Sequence, residues 1–527
     1  MNIYYFVLIF LFFLIIFFIY FKKKMTRVKN YILTKTKISS GLQCKKRLWF
    51  DCHDPIKKDN FLFHLGNRFG EVVRKHYGKG VDLSHNIYDM DLALKDTTKA
   101  IKDEKVNVIY EGTFVHSDTL VRADVLLRKN DSWELLEAKS STKLKDEHID
   151  DVAIQSYIIK SSGIKISSVK LIHIDNEFTY AGDGNYDDLI EAEDITKDIL
   201  FKEKIIQSYI DQFKPIADKN YPNPQVEIGE HCLKPYKCIY FARCNKLKLP
   251  SKKTPISILP RVGKKLEQEY KSRGITYLED IPSVELNESQ RIIQQVHRDN
   301  KSYINPNVGE IFKEFKWPFY FMDFETINQG VPIIKGTQAY YQLPFQWSLH
   351  KWDSPTTKIS DGMSFLDFSD QNIERKFIES LLDAVGDIGT IFAHNASTEI
   401  NVIKKLKDKE NCKDLVEKID NLIERIVDTL SIVKNNFYAP VMNGDYDLKT
   451  IIKAIPSDVS YEEKDNIAGG NEAQLAWFIY TDPKTSNDDK EKQIKLLKAY
   501  CAKDTLAIYY LIKHLLEQSK VIEKINK

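Results

Sequence analysis

The 527-residue chain has no internal repeat and no long low-complexity tract, which argues against repeat and fibrous architectures. It has almost no excess charge of either sign: 77 Lys and Arg against 75 Asp and Glu leave a formal +2. Any nucleic-acid surface must therefore come from local lysine clusters and not from a global field. Lys, Ile and Asn are abundant together, as in AT-rich coding sequences, so lysine richness alone is weak evidence of binding. Seven cysteines are too few for a disulfide scaffold in a chain this long.

The chain's long uncharged apolar run is residues 1–21, followed by Lys22, Lys23 and Lys24. It is long enough to cross a bilayer, and the lysines would stay inside and leave the body of the protein cytoplasmic. It lacks a small-residue cleavage site, so a cleaved signal peptide is not expected. The alternative is that Met25 is the start and the run is translated upstream sequence; nothing downstream needs a membrane.

Hydrophobic content of 43% with 29% charged residues fits a globular protein with sizeable cores, and the length suggests two to four domains. After Met25, residues 31–75 alternate short apolar helical stretches with basic residues. Residues 106–128 and 132–140 read as strands around a polar turn at Lys129–Asp131, 146–162 as a helix, 166–175 as a strand and 193–214 as a helix. Pro255, Pro260, Gly263, Gly274 and Pro282 punctuate short amphipathic helices in 251–310, which we expect to be a helical connector. Strands then return at 318–325, 343–351 and 389–393, with helices near 396–407, 413–424 and 490–518. The expected organisation is a hydrophobic segment 1–24, an α/β domain 25–250, the connector 251–310 and a second α/β domain 311–527.

The second domain carries three carboxylate-bearing motifs in order. Asp323 and Glu325 are two apart in a strand pattern and so share one face. Two carboxylates on one face repel and call for a cation. Tyr500 and Asp504 are four apart in a helical run and share a helix face. Between them, Asn395 and Glu399 are again four apart. This ordered set is a two-metal phosphodiester-cleavage layout. It resembles the DEDDy branch of 3′–5′ exonucleases, which have an RNase H-like fold, over roughly residues 311–527. The resemblance implies that Asp323, Glu325 and Asp504 hold two Mg²⁺ or Mn²⁺ ions and that Tyr500 orients the attacking water. Glu399 stands where that branch usually has Asp; Asp428 is the alternative carboxylate.

In the first domain, Glu137 and Lys139 share one strand face, and Asp124 lies on the preceding strand. A magnesium ion between Asp124 and Glu137 would hold phosphate and water together, with Lys139 positioning that water or stabilising charge on phosphorus. Gln155 and Tyr157 follow on a helix as phosphate-holding donors. The set resembles the PD-(D/E)xK nucleases of the RecB-like group, across roughly 38–245. Glu71 is a candidate extra carboxylate, in competition with His64 and His76.

Cys232, Cys238 and Cys244 come at regular spacing after a proline-rich turn, and Cys44 lies far upstream. A lone N-terminal cysteine and a C-terminal trio around a nuclease core resemble the iron–sulfur staple of AddB-type and CRISPR-associated RecB-like nucleases. The resemblance implies a structural 4Fe-4S cluster, or a structural zinc, on four thiolates. Both gaps in the trio hold five residues, unlike the familiar C-x-x-C start; the alternative is buried reduced thiols. Cys52, Cys412 and Cys501 read as ordinary thiols.

Lys45–Arg47 with Trp49 and Phe50 would grip a backbone and stack a base, or form a solvated helix face. Taken together, the chain resembles bacterial proteins that couple a RecB-like PD-(D/E)xK domain, restriction-endonuclease-like in fold, to an RNase H-like exonuclease domain. We expect a metal-dependent hydrolase of nucleic-acid phosphodiesters with two active sites, acting in DNA processing or repair. DNA is favoured over RNA as partner. The alternatives are a nucleic-acid-binding scaffold with an inactive module and an RNA-trimming exonuclease.

Overall fold

The computed structural model describes residues 33–56, 61–86, 89–246, 253–369, 372–461 and 469–519. The expected membrane segment, residues 1–21, lies outside them. Among the described residues, no helix is long and apolar enough to cross a membrane. The described residues are mixed α/β, with 50% in helix and 18% in strand. It divides into two compact units, Met1–Leu249 and Pro250–Lys527.

The first unit begins with α1 (Lys35–Gln43) and α2 (Lys45–His53). Thr34 caps α1 by accepting from the Lys37 N–H at 3.3 Å. Cys44 ends α1 and serves as N-cap of α2. Gly41 is required where it stands, because a Cβ there would meet the Phe213 ring at 2.8 Å. Helices α3 (Phe61–Tyr77) and α4 (Met90–Lys102) precede the sheet. Its main strands are β1 (Val108–His116), β2 (Thr119–Lys129), β3 (Ser132–Ala138), β4 (Ile166–Ile174) and β5 (Ile190–Asp194). They lie side by side in that order. Short strands at Val81–Asp82 and Leu33–Thr34 join β1 and β2, which makes seven strands. Strands β1, β2 and β3 are antiparallel neighbours. Between β3 and its parallel neighbour β4 the chain crosses over through α5 (Asp146–Ser161). The last long helix, α6 (Ile199–Phe213), packs Ile206, Ile210 and Phe213 into the same core as Val152, Ile158 and Leu171.

Two expectations change here. The stretch 106–128 is not one strand but a hairpin, turning at Ser117 and Asp118, both with positive φ. Residues 193–194 close strand β5, and the helix starts only at Ile199.

In the second unit, the segment read as a connector contributes Ile256, Leu259, Leu278, Ile281 and Ile293 to a core shared with Phe319, Phe321 and Tyr509. Helix α7 (Glu288–Asp299) is its longest helix, opened by an Asn287/Gln290 capping box. The sheet is formed by β6 (Phe319–Asn328), β7 (Gln342–Trp352), β8 (Met363–Leu366), β9 (Thr390–Ala393) and β10 (Ile426–Asp428). Its order is β8-β7-β6-β9-β10, antiparallel across β8, β7 and β6, and parallel from β6 through β9 to β10. Helix α8 (Ile373–Val385) precedes β9, α9 (Ser397–Lys407) follows it, and α10 (Thr429–Asn436) follows β10. The unit ends in α11 (Leu448–Ile451), α12 (Gly470–Thr481) and the 32-residue α13 (Asn487–Gln518). Ser486 caps α13, and Asp488 and Asp489 in its first turn suit the helix dipole.

Strand β6 has no polar face to spare, since both its faces are covered. Phe319 and Phe321 enter the core shared with α13, while Tyr320, Met322 and Phe324 enter the core shared with α8 and α9. By the two-residue period, Asp323 and Glu325 belong to the α13 face. That is why the two acids end up buried.

Candidate metal centres

In the second unit, Asp323 and Glu325 on β6 meet Tyr500, Cys501 and Asp504 on α13. All but Asp323 are buried in the residue-level sense, and the Asp323 carboxyl is enclosed by its neighbours. The antiparallel register with β7 slips between Pro344 and Gln346, and Gln346 pairs with Glu325. Such bulges re-aim side chains. Cys501, expected to be an ordinary thiol, places its Sγ 3.6 Å from both the carbonyl oxygen and Oδ2 of Asp323. Asp323, Glu325 and Cys501 each offer one ligand atom within 4.8 Å of the others.

Burial raises the Asp323 carboxyl well above the usual range, and Asp504, Glu325 and Glu399 add to it. Burial, then Asp504, pushes Glu325 up to about 8, while Lys449 works the other way. Asp504 is also raised by burial, moderated by hydrogen bonds from Tyr461 and Tyr500. Glu399, in the first turn of α9, is pushed up to about 7, chiefly by burial. Its Oε2 is buried without a hydrogen-bond partner. Four carboxyls that resist ionisation together form a donor set matched to hard divalent cations.

Asn395 does not share a helix face with Glu399. It is exposed, with φ of 61°, and α9 begins only at Ser397. Asp428 is committed elsewhere. Its Oδ1 accepts from the N–H groups of Asn395 at 2.9 Å, Ala396 at 3.3 Å and Leu430 at 3.0 Å, and its Oδ2 from Ser431 at 2.8 Å. Those bonds hold its carboxyl below the usual range despite burial.

The cluster opens into a cleft of about 500 Å³ lined by Asp323, Tyr500 and Asp504 on one side and by His394, Tyr446 and Lys449 among others. Lys449 Nζ lies 5.3 Å from the Tyr500 ring centre and 5.5 Å from that of Tyr461. His394 is fixed by Thr429 at 3.0 Å and by the Tyr446 carbonyl at 2.9 Å. Tyr461 and His394 escaped the sequence reading.

In the first unit, the Val125–Leu136 pairing sets Asp124 beside Glu137, and Asp124 Oδ2 accepts from the Ala138 N–H at 2.8 Å. Burial and the neighbouring Glu137 push Asp124 up to about 8. Glu137 goes the other way: burial opposes its charge, but Lys139 and Lys35 hold its carboxyl low. Lys139 Nζ lies 2.9 Å from Glu137 Oε1 and 2.6 Å from Asp151 Oδ2. Glu137 Oε2 is buried with no partner.

Three residues of this centre were missed. Lys35 and Asp151 ion-pair with the expected set. Glu111 lies opposite Asp124, between the Tyr110–Val125 and Gly112–Ala123 pairs, with φ of 58°. That is a strained conformation for a glutamate in a strand. Its carboxyl is raised, mainly by burial, against the pull of Arg74 at 3.8 Å.

Other expectations do not fit the geometry. Gln155 is fully buried and its amide is bound to the Arg122 carbonyl. Tyr157, two residues on, is on another side of α5, with its hydroxyl 2.9 Å from Gln207. The helix partner on the Gln155 face is Asp151, four residues earlier. Glu71 is exposed on α3, His76 pairs with Asp187 at 3.4 Å, and Arg74 is the α3 residue that reaches Glu111. Phe50 is not available to stack a base, since it is buried between Tyr240 and Arg243.

Cys44, Cys232, Cys238 and Cys244 are free thiols. Burial raises Cys238 and Cys244, and each feels both Cys44 and Cys232. Among the described residues, no three of these thiols lie within 4.8 Å of one another.

Residues 320–447 match a family model described as a domain of unknown function (DUF2779). The matched stretch carries Asp323, Glu325 and Glu399 and stops short of Tyr500 and Asp504. No curated protein matches the chain.

Proposed function

We propose that the chain is a metal-dependent nuclease that hydrolyses nucleic-acid phosphodiesters, DNA by preference, with a centre in each unit. The observation that carries this reading is the burial of Asp323, Glu325 and Asp504 against one another beside a 500 Å³ cleft. Such a cluster is costly unless cations occupy it. The mixed sheet with acids on its strand β6 supports an RNase H-like assignment of the second unit. The Asp124/Glu137/Lys139 grouping on β2 and β3 supports a PD-(D/E)xK assignment of the first.

The carboxylate oxygens fit Mg²⁺ or Mn²⁺, with unpaired buried oxygens at Glu137 and Glu399, while the Cys501 thiol is a softer donor beside Asp323 and Glu325. Asp323, Glu325, Asp504 and Glu399 would hold them in one unit, Asp124 and Glu137 in the other. When bound, such a cation supplies Lewis acidity toward a phosphate oxygen and makes water a better nucleophile at neutral pH. The remaining work falls to side chains. Tyr500, hydrogen-bonded to Asp504, orients the attacking water. Lys449 brings positive charge to the cleft wall where phosphate oxygens enter. Lys139, held by Glu137 and Asp151, does the same in the first unit.

The four thiols would hold a 4Fe-4S cluster. Four thiolates also suit a structural zinc, so metal content decides between the two. Iron and sulfide analysis of anaerobically purified protein tests this directly.

The test of the nuclease reading is release of nucleotides from DNA and matched RNA with Mg²⁺ or Mn²⁺. Asp323→Asn should abolish turnover in the second centre and Asp124→Asn in the first. No metal-dependent release from either nucleic acid would refute the reading, leaving a binding scaffold.

A further inference from the structure

Lys35 opens α1, 102 residues before Glu137, yet its ammonium lies 2.5 Å from Glu137 Oε1 and 3.7 Å from Asp151 Oδ2. Lys139 approaches those same two oxygens at 2.9 and 2.6 Å. Two ammoniums therefore share one pair of carboxylate oxygens. The two ammoniums balance the charges of Glu137 and Asp151, but crowding four largely enclosed charges together costs desolvation that a packed apolar set would not. Both ammoniums cluster on one oxygen of Glu137, while Oε2 is buried and unpartnered.

The position of Lys35 is rigid. Leu33 and Thr34 pair with Thr119 and Leu120 of β2, Thr34 caps α1, and Ser39 one turn later donates to Asp151 Oδ1 at 2.9 Å.

We infer that Lys35 is a second phosphate-binding lysine of the first centre, sharing with Lys139 the two non-bridging oxygens of the scissile phosphodiester. The inference rests on the nuclease reading of that centre. A phosphodiester brings one negative charge across two oxygens. As the water oxygen bonds to phosphorus and the bond to the leaving oxygen breaks, charge on those two oxygens grows. The attacking water gives up a proton and the leaving oxygen gains one. Both lysines stay protonated and meet the growing charge, one to each oxygen.

The test uses the full-length chain carrying Asp323→Asn, which silences the second centre. Lys35→Met, Lys139→Met and the double variant are compared in single-turnover cleavage with Mn²⁺. Lys35→Met should slow cleavage about 10²-fold, with the double variant little slower than either single one, because the pair acts as a unit. Lys35→Arg should recover part of the loss. Lys35→Gln replaces the methionine variant if the latter melts early. A second readout is binding of single-stranded oligonucleotide in an Asp124→Asn background, which does not turn over. There Lys35→Met should weaken binding and lower the salt slope by about 0.7. Wild-type cleavage and binding by Lys35→Met and Lys35→Gln, with Lys139→Met inactive, would make Lys35 a structural partner of Glu137 and overturn the inference. Cleavage that survives Asp124→Asn in this background would overturn the assignment of a catalytic centre to Asp124 and Glu137, and the inference with it.

Discussion

Tyr461 donates a hydrogen bond to Asp504 Oδ1, and Tyr500 donates to the same carboxylate. Two phenols on one acid divide the work. If Tyr500 turns toward a water, Tyr461 still fixes the orientation of Asp504. Tyr461→Phe should then raise the Mn²⁺ concentration for half-maximal activity about 10-fold, the usual cost of losing a partner behind a metal ligand. Tyr500→Phe should instead lower turnover at saturating Mn²⁺ about 10²-fold. Mn²⁺ titrations of the two variants check the division. Unchanged Mn²⁺ dependence for Tyr461→Phe would deny Tyr461 this role.

The metal-free protein should become less stable as pH rises from about 5 to 8. Glu325 titrates near 8 and Glu399 near 7 when folded, against 4.5 for the free side chain. Asp124 is near 8 against 3.8. Between those values the folded state binds more protons than the unfolded one, so stability is complete below about 4 and is lost as pH climbs. Each such group contributes up to about 1.4 kcal/mol per pH unit. Asp151 has the opposite sign: burial opposes its charge, but Lys35 and Lys139 hold it low, so its stabilisation is lost only in strong acid. Melting curves in EDTA should fall across this window, and Mn²⁺ at pH 8 should restore them. A flat profile would contradict the buried, cation-seeking clusters.

Glu399 and Asp428 should separate cleanly. Glu399→Gln removes a buried carboxylate and should cost at least about 10²-fold in activity with little change in melting temperature. Asp428→Asn weakens four hydrogen bonds at the starts of α9 and α10. It should cost about 1–2 kcal/mol of stability, as losing a helix cap does, and less activity. Urea melts and initial rates on both variants decide it; the reverse pattern would make Asp428 the metal-facing residue.

Local periodicity made part of these centres readable. Asp323 and Glu325 obey the two-residue period because β6 is a regular strand buried on both faces. Tyr500 and Asp504 obey the helical repeat because α13 runs unbroken through them. The same rule failed for Asn395, where a left-handed residue intervenes before the helix. Tyr157 rests on family resemblance and not on the repeat, which sets residues two apart on a helix on different sides. Lys35, Tyr461 and His394 come from segments with no pattern linking them to the acids, and only the tertiary fold brings them in. Glu111 was within reach. Counting outward from the Ser117–Asp118 turn pairs it with Asp124, but a strand read unbroken from 106 to 128 hides that turn.

Two glycines beside β9 offer a test of how tightly the sheet that carries Glu399 is built. Gly389, at φ of 97°, stands directly before β9, and a Cβ there would sit 2.3 Å from the Pro318 carbonyl oxygen and 3.0 Å from the Tyr320 ring. Gly386, at φ of 53°, ends α8 and has nothing within 4 Å. Alanine at either position bears positive-φ strain of roughly 1–3 kcal/mol, Gly386 having ψ of −156°. Only Gly389→Ala must also push β9 away from the backbone leading into β6. Its cost should exceed that of Gly386→Ala by about 2 kcal/mol, the added cost of the close approach. Because β9 runs into His394 and the α9 turn bearing Glu399, Gly389→Ala should also weaken Mn²⁺ binding below the melting transition, while Gly386→Ala leaves it unchanged. Equal destabilisation by the two alanines would mean that the close approach of Gly389 to Pro318 does not constrain the sheet.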